Sequence, residues 1–223
     1  MYIKTTHSTN TLLKELIAKG QEPKFIYAGY QTAGRGQTGN SWESEEGKNL
    51  LCSILLPPDK NLYFLNIAVG VAILRLLGED FTIKWPNDIY YGDKKVAGIL
   101  VENAIIGNEV KYSIAGIGLN VNQTEFRSDA PNPVSLKQIT GKEYDVDALM
   151  QRLYEAIQAV LKEEVWSEYK NHLYRREGFW PFEDKNGVFE ARIEDVLPTG
   201  EIVLCDKSGQ TRQYGFKQIK YII

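Results

Sequence analysis

Residues 24–56 read KFIYAGYQTAGRGQTGNSWESEEGKNLLCSILL. The two ends, KFIYAGY (24–30) and NLLCSILL (49–56), are apolar, rich in β-forming residues and of single-strand length. Between them lies QTAGRGQTGNSWESEEGK, polar, glycine-rich and far longer than a hairpin turn needs. Connections of that length are usually functional or mobile. Gly34, Gly36 and Gly39 let the backbone approach a ligand and aim successive amides at it, which is how a phosphate or carboxylate is cradled without a large charge. Arg35 adds a planar, permanently charged fork, and Trp42 a face on which a purine can stack. The Walker pattern G-x-x-x-x-G-K-[ST] is absent. The G-x-G-x-x-G spacing is met, but no helix clearly follows it. On these features alone an ordinary surface loop remains a competing reading.

Outward from this stretch, residues 9–19 put Leu12, Leu13, Leu16 and Ile17 on one helical face, with Ser8 or Thr9 as N-cap and Gly20 closing the helix. Tyr63 to Leu77 reads as a well-buried helix ending at Gly78. FTIKW (81–85), IYYGDKKVAGILVEN and KYSIAGIGLNVN read as strands and hairpins, and Asp145 to about His172 as one long amphipathic helix. Beyond Gly178 come short alternating segments split by Pro198-Thr199-Gly200 and Lys207-Ser208-Gly209, which predict a small β module packed on the larger part.

The chain has 223 residues, 26 Lys plus Arg against 29 Asp plus Glu and 43% apolar residues, which excludes intrinsic disorder. A net charge of −3 with both signs scattered gives no field for non-specific nucleic-acid binding. No run approaches the ~20 apolar residues of a membrane span, and MYIKTTHSTN lacks the apolar core of a secretory signal. A cytoplasmic protein without membrane partners is therefore expected. Cys52 and Cys205 lack metal-ligand spacing and read as packing residues. With only His7 and His172, a multi-histidine zinc site is excluded and a Ser-His-Asp hydrolase has little to draw on.

Two further clusters carry chemistry. Lys84-Trp85-Pro86-Asn87-Asp88 and Lys95-Val96-Ala97-Gly98-Ile99-Leu100 place a lysine at or near the end of each of two consecutive strands. With the glycine loop they form an anion clamp, although a lone strand-edge lysine more often discourages aggregation. Gly116-Ile117-Gly118-Leu119-Asn120-Val121-Asn122 combines close-approach residues with amides, and Asn120 alone is as suited to a turn as to a ligand.

Taken together and in this order, Ser8-Thr9-Asn10, Gly34 to Trp42, Lys84 to Asp88, Lys95 to Leu100 and Gly116 to Asn122 resemble the biotin protein ligases. The resemblance implies an α+β fold: a catalytic domain over residues 1–176, of the class II aminoacyl-tRNA synthetase type, and an SH3-like β-barrel over 177–223. It implies a two-step reaction in which biotin and MgATP give biotinoyl-5′-AMP, which then acylates a lysine of a biotin carboxyl carrier protein. By this likeness Lys95 touches the biotin carboxylate and the α-phosphate, with Arg35 in support. Ser8, Thr9 and Gln31 bond the ureido ring, while Gly98 and Leu100 line the biotin slot with Gly34, Gly36, Gly116 and Gly118. Trp42 and Asn120 meet adenine, Gly39 belongs to the nucleotide end, and Lys84, Asn87 and Asp88 serve the phosphates or Mg2+. Because the motifs begin at Ser8, a stand-alone ligase without a DNA-binding domain is expected, as monomer or homodimer.

The loop departs from the basic form G-R-G-R-R-G-R by having Gln37, Thr38 and Asn40, which predicts weaker retention of the adenylate or more work for Lys84 and Lys95. A lipoate ligase would show an R-R-x-S-G-G-G type motif, which does not occur, and an octanoyl transferase would need an activated cysteine. A non-catalytic biotin-binding module would have lost Arg35, Lys84 and Lys95, and all three are present.

Overall fold

An edge strand that the sequence reading did not anticipate opens the chain. In the computed structural model, which describes residues 1–37, 39–59, 61–128 and 132–223, β1 (Tyr2–Thr6) pairs in parallel with β2 (Phe25–Gln31). Thr38 of the glycine loop lies outside the described residues, as does part of the Pro- and Asn-rich stretch near 129–133. Between the first two strands runs α1 (Thr9–Ala18), with Ser8 at the N-cap position but making no side-chain capping bond. The remaining strands of this sheet are β3 (Leu50–Leu56), β4 (Phe81–Lys84), β5 (Asp88–Tyr91), β6 (Lys94–Ile106) and β7 (Glu109–Leu119). They lie in the order β1-β2-β3-β7-β6-β5-β4, and every pairing but the first is antiparallel.

α2 (Leu62–Leu77) is capped by the Asn61 side chain, which accepts from the Tyr63 and Phe64 amides. Every residue from Leu65 to Leu74 is buried, as the all-round apolar sequence requires, because the helix lies between the sheet and α4 (Val146–Val160). Gly70 makes the fit possible, since a Cβ there would stand 3.3 Å from Ile83 Cδ1. The opposite face carries α1, whose Leu13 packs on Ile26 and Ile114.

The long helix expected from Asp145 to His172 is two helices, α4 and α5 (Trp166–Asn171), with the short α3 (Leu136–Thr140) before them. The reason is phase. The stripe Leu149, Leu153, Ile157, Val160 would continue onto Glu164 and Glu168, whereas the residues actually buried are Val165, Tyr169 and Leu173. Breaking the helix turns Tyr169 and Trp166 toward Tyr63, and the Tyr63 and Tyr169 hydroxyls meet at 3.0 Å.

The C-terminal strands β8 (Trp180–Asp184), β9 (Gly187–Val196), β10 (Ile202–Asp206), β11 (Thr211–Tyr214) and β12 (Lys220–Tyr221) form a second, antiparallel sheet in the order β11-β10-β9-β8-β12. Its apolar residues, Phe182, Ile193, Ile202 and Leu204 among them, are continuous with the core beneath the first sheet. The α+β expectation therefore holds, and the small module packs on the larger part as its size demands. Trp85 ties the two together, its indole N–H donating to the Gly200 carbonyl at 2.9 Å.

Candidate active site

The alternation of side chains along a strand builds the floor of the site. Register places Lys84 opposite Asp88, Asp88 opposite Gly98, and Gly98 opposite Gly118, so one row of neighbours crosses β4, β5, β6 and β7 on a single face. The next row on that face is Leu100, Gly116 and Ser53, and beyond it Glu102 faces Ile114. A cavity of about 910 Å³ opens over these rows, walled by α1, the glycine loop and C-terminal residues that include Phe216, Lys217 and Lys220 to Ile223.

The glycines leave room for other side chains to reach the floor. A Cβ on Gly118 would stand 2.7 Å from Trp42 Cζ2 and Nε1, and one on Gly98 3.0 Å from Trp42 Cζ3, so the indole lies flat on the sheet where these residues lack side chains. A Cβ on Gly116 would collide with the Asn10 carboxamide. The loop carrying Trp42 is itself ordered by paired amides: Gly36 N–H donates to Asn40 O at 2.8 Å, and Trp42 N–H to Gly34 O at 3.0 Å.

Charge is concentrated at one end. Lys95 Nζ contacts Asp88 Oδ1 at 2.7 Å and stands 5.5 Å from the Trp42 ring centroid. Lys84 Nζ is held 4.9 Å from the Tyr221 ring and 5.3 Å from that of Tyr90. Burial pushes the Lys84 ammonium below the usual lysine range; Asp88 opposes this, while Lys95 and Arg175 push the same way. An approaching anion would relieve that cost. At the other end Gln31 Oε1 accepts from Thr9 N–H at 2.7 Å and from Thr9 Oγ1 at 3.1 Å, with Ser8 buried beside them. Three lining residues carry buried polar atoms without a hydrogen-bond partner: Gln37 Oε1, Trp42 Nε1 and Tyr221 Oη. Native interiors rarely tolerate such orphans, and a bound polar ligand is one way to satisfy them.

Of the residues singled out from sequence, Ser8, Thr9, Gln31, Arg35, Gly36, Trp42, Lys84, Asn87, Asp88, Lys95, Gly98, Leu100, Gly116 and Gly118 all line this one cavity. Gly34, Gly39 and Asn120 are not among its lining residues. Asn120 is buried, and its amide donates to the Val134 carbonyl at 3.2 Å, which pins the end of β7. Asn87 lines the cavity but spends its amide on the Ile99 carbonyl at 2.5 Å. The Arg35 guanidinium donates to Glu102 Oε2 at 3.1 Å and to Thr11 Oγ1 at 3.4 Å. Cys52 reaches the floor, and burial pushes its thiol far up, so it is no nucleophile.

Sequence reasoning missed Asn10 and Glu102 as side chains with a job, and missed Tyr90 and the C-terminal wall entirely. Glu102 had a signal: it is a lone carboxylate inside the apolar run GILVENAII. Tyr221 to Ile223 had none, since only the packing of the second sheet brings them to the mouth. Among the described residues no group of three or more His, Cys, Asp or Glu gathers as metal ligands, and the Asp88 carboxylate is already engaged by Lys95.

The model of the biotin/lipoate A/B protein ligase family matches residues 2–120. The chain is 30% identical over 184 residues to the bifunctional ligase/repressor BirA of Escherichia coli, covering 78% of this chain and 54% of that protein. It is 35% identical over 144 residues to the BirA of Bacillus subtilis, covering 59% and 44%. The chain thus spans about half the length of these curated relatives. Among solved structures, a biotin protein ligase of Aquifex aeolicus in complex with biotin and ATP superposes with a TM-score of 0.80 at 25% identity, covering 100% of this chain and 98% of that one. A sheet floored by glycines, a glycine loop laid across it and a family model that runs over both the loop and those strands agree: the chain belongs to the biotin/lipoate A/B protein ligase family.

Proposed function

We propose that the chain is an ATP-dependent biotin protein ligase, and that residues 1–176 form its catalytic part while 177–223 close the nucleotide end. The observation that carries the reading is the polarity of this cavity: Lys84 and Lys95 on the sheet at one end, and the neutral set Ser8, Thr9 and Gln31 at the other, joined by a floor of glycines. A ligand with a neutral hydrogen-bonding head and a carboxylate tail fits that layout, with its tail beside Lys95. Biotin has this form.

In the first step a carboxylate oxygen attacks the α-phosphorus of ATP, a P–O bond forms, and the bond to pyrophosphate breaks. Two anions must approach, so fixed positive charge is worth most at the point where they meet. Lys95 supplies it there, and its partner Asp88 holds it in place. Lys84, already desolvated between aromatic rings, serves the nucleotide phosphates. Magnesium carried in with ATP would neutralise phosphate charge, and Asp88, already paired with Lys95, is the lining carboxylate that would meet it. Trp42 and the glycine loop cover the mixed anhydride and keep water off it. In the second step the neutral amine of a carrier-domain lysine attacks the acyl carbon, an amide forms and AMP leaves.

The test is pyrophosphate release from ATP with biotin, lipoate, octanoate or no acid, followed by transfer to an added biotin carboxyl carrier domain. Biotin-dependent release and labelling of the carrier lysine are expected. Turnover with lipoate alone would move the chain to the neighbouring branch of the family, and biotin binding without pyrophosphate would make it a sequestering module.

A further inference from the structure

Glu102 lies outside the motifs read from the sequence, yet three side chains from two elements, α1 and the glycine loop, converge on it. Its Oε1 accepts from Lys14 Nζ of α1 at 2.8 Å; its Oε2 accepts from Asn10 Nδ2 at 2.7 Å and from Arg35 Nη2 of the glycine loop at 3.1 Å. Asn10 in turn accepts from Ser53 Oγ at 2.5 Å and covers Gly116 on the cavity floor. The Glu102 side chain is 22% exposed, less than either cation at 41% and 42%. A half-buried carboxylate shared by two cations and a buried amide makes stronger, better-oriented bonds than a surface pair.

We propose that Glu102 is a positioning residue: it holds Arg35, and through Arg35 the loop strand that lays Trp42 on the glycine floor, so that the acid-binding end is preformed. The chain of contacts is short. Arg35 is bridged to Ser41, Gly34 is bonded to Trp42, and the Trp42 ring rests on Gly98 and Gly118. Preorganisation lowers the ordering cost charged to the ligand, so losing it weakens apparent affinity by the fraction of time the loop is out of place. Lys14 touches the same carboxylate but not the loop, which supplies an internal control.

This inference rests on the proposed ligase reading, and the experiment separates the two. Glu102→Gln, Arg35→Gln, the double variant and Lys14→Met are compared with wild type in biotin-dependent pyrophosphate release and in tryptic cleavage after Arg35, followed by mass spectrometry. Glu102→Gln is expected to raise KM for biotin by roughly three- to tenfold and to leave KM for ATP unchanged, the size of one partly exposed charged contact. Arg35→Gln should do the same, the double variant no more than either single, and Lys14→Met nothing. Cleavage after Arg35 should quicken in Glu102→Gln and not in Lys14→Met. An unchanged KM for biotin in Glu102→Gln, or single effects that multiply in the double variant, would overturn the proposal. Wild type without biotin-dependent release would sink the ligase reading instead, and the cleavage rates would still decide whether Glu102 holds the loop.

Discussion

Replacing Lys95 by Gln tests the centre of the proposed chemistry. Glutamine, one atom shorter, keeps an N–H donor directed at the Asp88 carboxylate in place of the 2.7 Å ion pair, while the positive charge is lost. Two unit charges ~4 Å apart interact by about 4 kcal/mol at an effective dielectric constant of ~20. Because Asp88 already neutralises part of the ammonium, about half that figure is a lower bound for what a new anion feels. The rate of adenylate formation should therefore fall roughly 30- to 1000-fold, with each 1.4 kcal/mol worth a factor of ten. Stability should fall modestly: the pair is 25% and 18% exposed, and trading the ion pair for an amide–carboxylate bond costs about 1–3 kcal/mol, since Asp88 keeps its charge, or roughly 2–4 °C in Tm per kcal/mol for a chain of this size. The assay is single-turnover pyrophosphate release at saturating biotin and ATP, alongside a thermal melt. A rate within about threefold of wild type, with a normal melt, would show that Lys95 is not the main charge stabiliser.

The remaining expectations concern the floor, the module contact and the acid limb. Gly118→Ala drives a Cβ into the Trp42 ring; the ~1–3 kcal/mol of overpacking falls on the loop, so biotin affinity should drop sharply while Tm stays within a few degrees, read by titration and melting. Trp85→Phe removes the donor to the Gly200 carbonyl and should cost about 1–2 kcal/mol in urea denaturation; an unchanged midpoint would mean that this bond does not tie the modules. Burial pushes the Glu102 carboxyl up, but hydrogen bonds from Lys14 and Asn10 and the charges of Lys14 and Arg35 outweigh it and hold it below its reference of 4.5. Its stabilisation is thus complete above the unfolded value and lost as pH falls through the lower folded one. The Glu102→Gln variant should accordingly lose less stability than wild type between pH 5 and acid, which melts across that range would show.

Much of the site was legible because its residues sit on strands whose period puts them together. Gly98 and Leu100 alternate with Ile99, and Gly116 and Gly118 with Ile117, so a reader who takes the runs as strands already has a bare face and an apolar one. What was not legible came from contacts distant in the chain. Glu102 meets Lys14 across 88 positions and Arg35 across 67, and neither spacing leaves a mark in any local window. The break between α4 and α5 was readable in principle, since Glu164 and Glu168 fall where the stripe of Leu149 to Val160 should continue. Asn120 shows the opposite hazard. An amide in a glycine-rich motif invites a ligand role, yet its partner is the Val134 carbonyl, and only the fold brings that carbonyl to it.

The replacement of loop arginines by Gln37 and Asn40 takes on a physical meaning once the charges are located. The one arginine the loop keeps, Arg35, spends its guanidinium on Glu102 and Thr11, so in this geometry the loop offers shape and backbone amides more than free positive charge. Positive charge for a triphosphate then comes from outside the loop: from the sheet, where Lys84 ends the row of Asp88 and Lys95, opposite Tyr90 in register, pairs with Asp88 by its side chain, and from Lys217 and Lys220 of the C-terminal wall. Lys84 is fixed by register and by the Tyr90 and Tyr221 rings, so its position does not depend on how the loop moves, and Lys95 is held by Asp88 while also facing Trp42 of the loop. A division follows in which the sheet and the C-terminal wall supply electrostatics to the nucleotide, and the loop, anchored by a carboxylate of its own, supplies closure over the acid. On that division, substitutions in the loop, or at the sheet residues that seat it, should act on the acid and on retention of the intermediate, and substitutions of the sheet lysines should act on the nucleotide and on the rate.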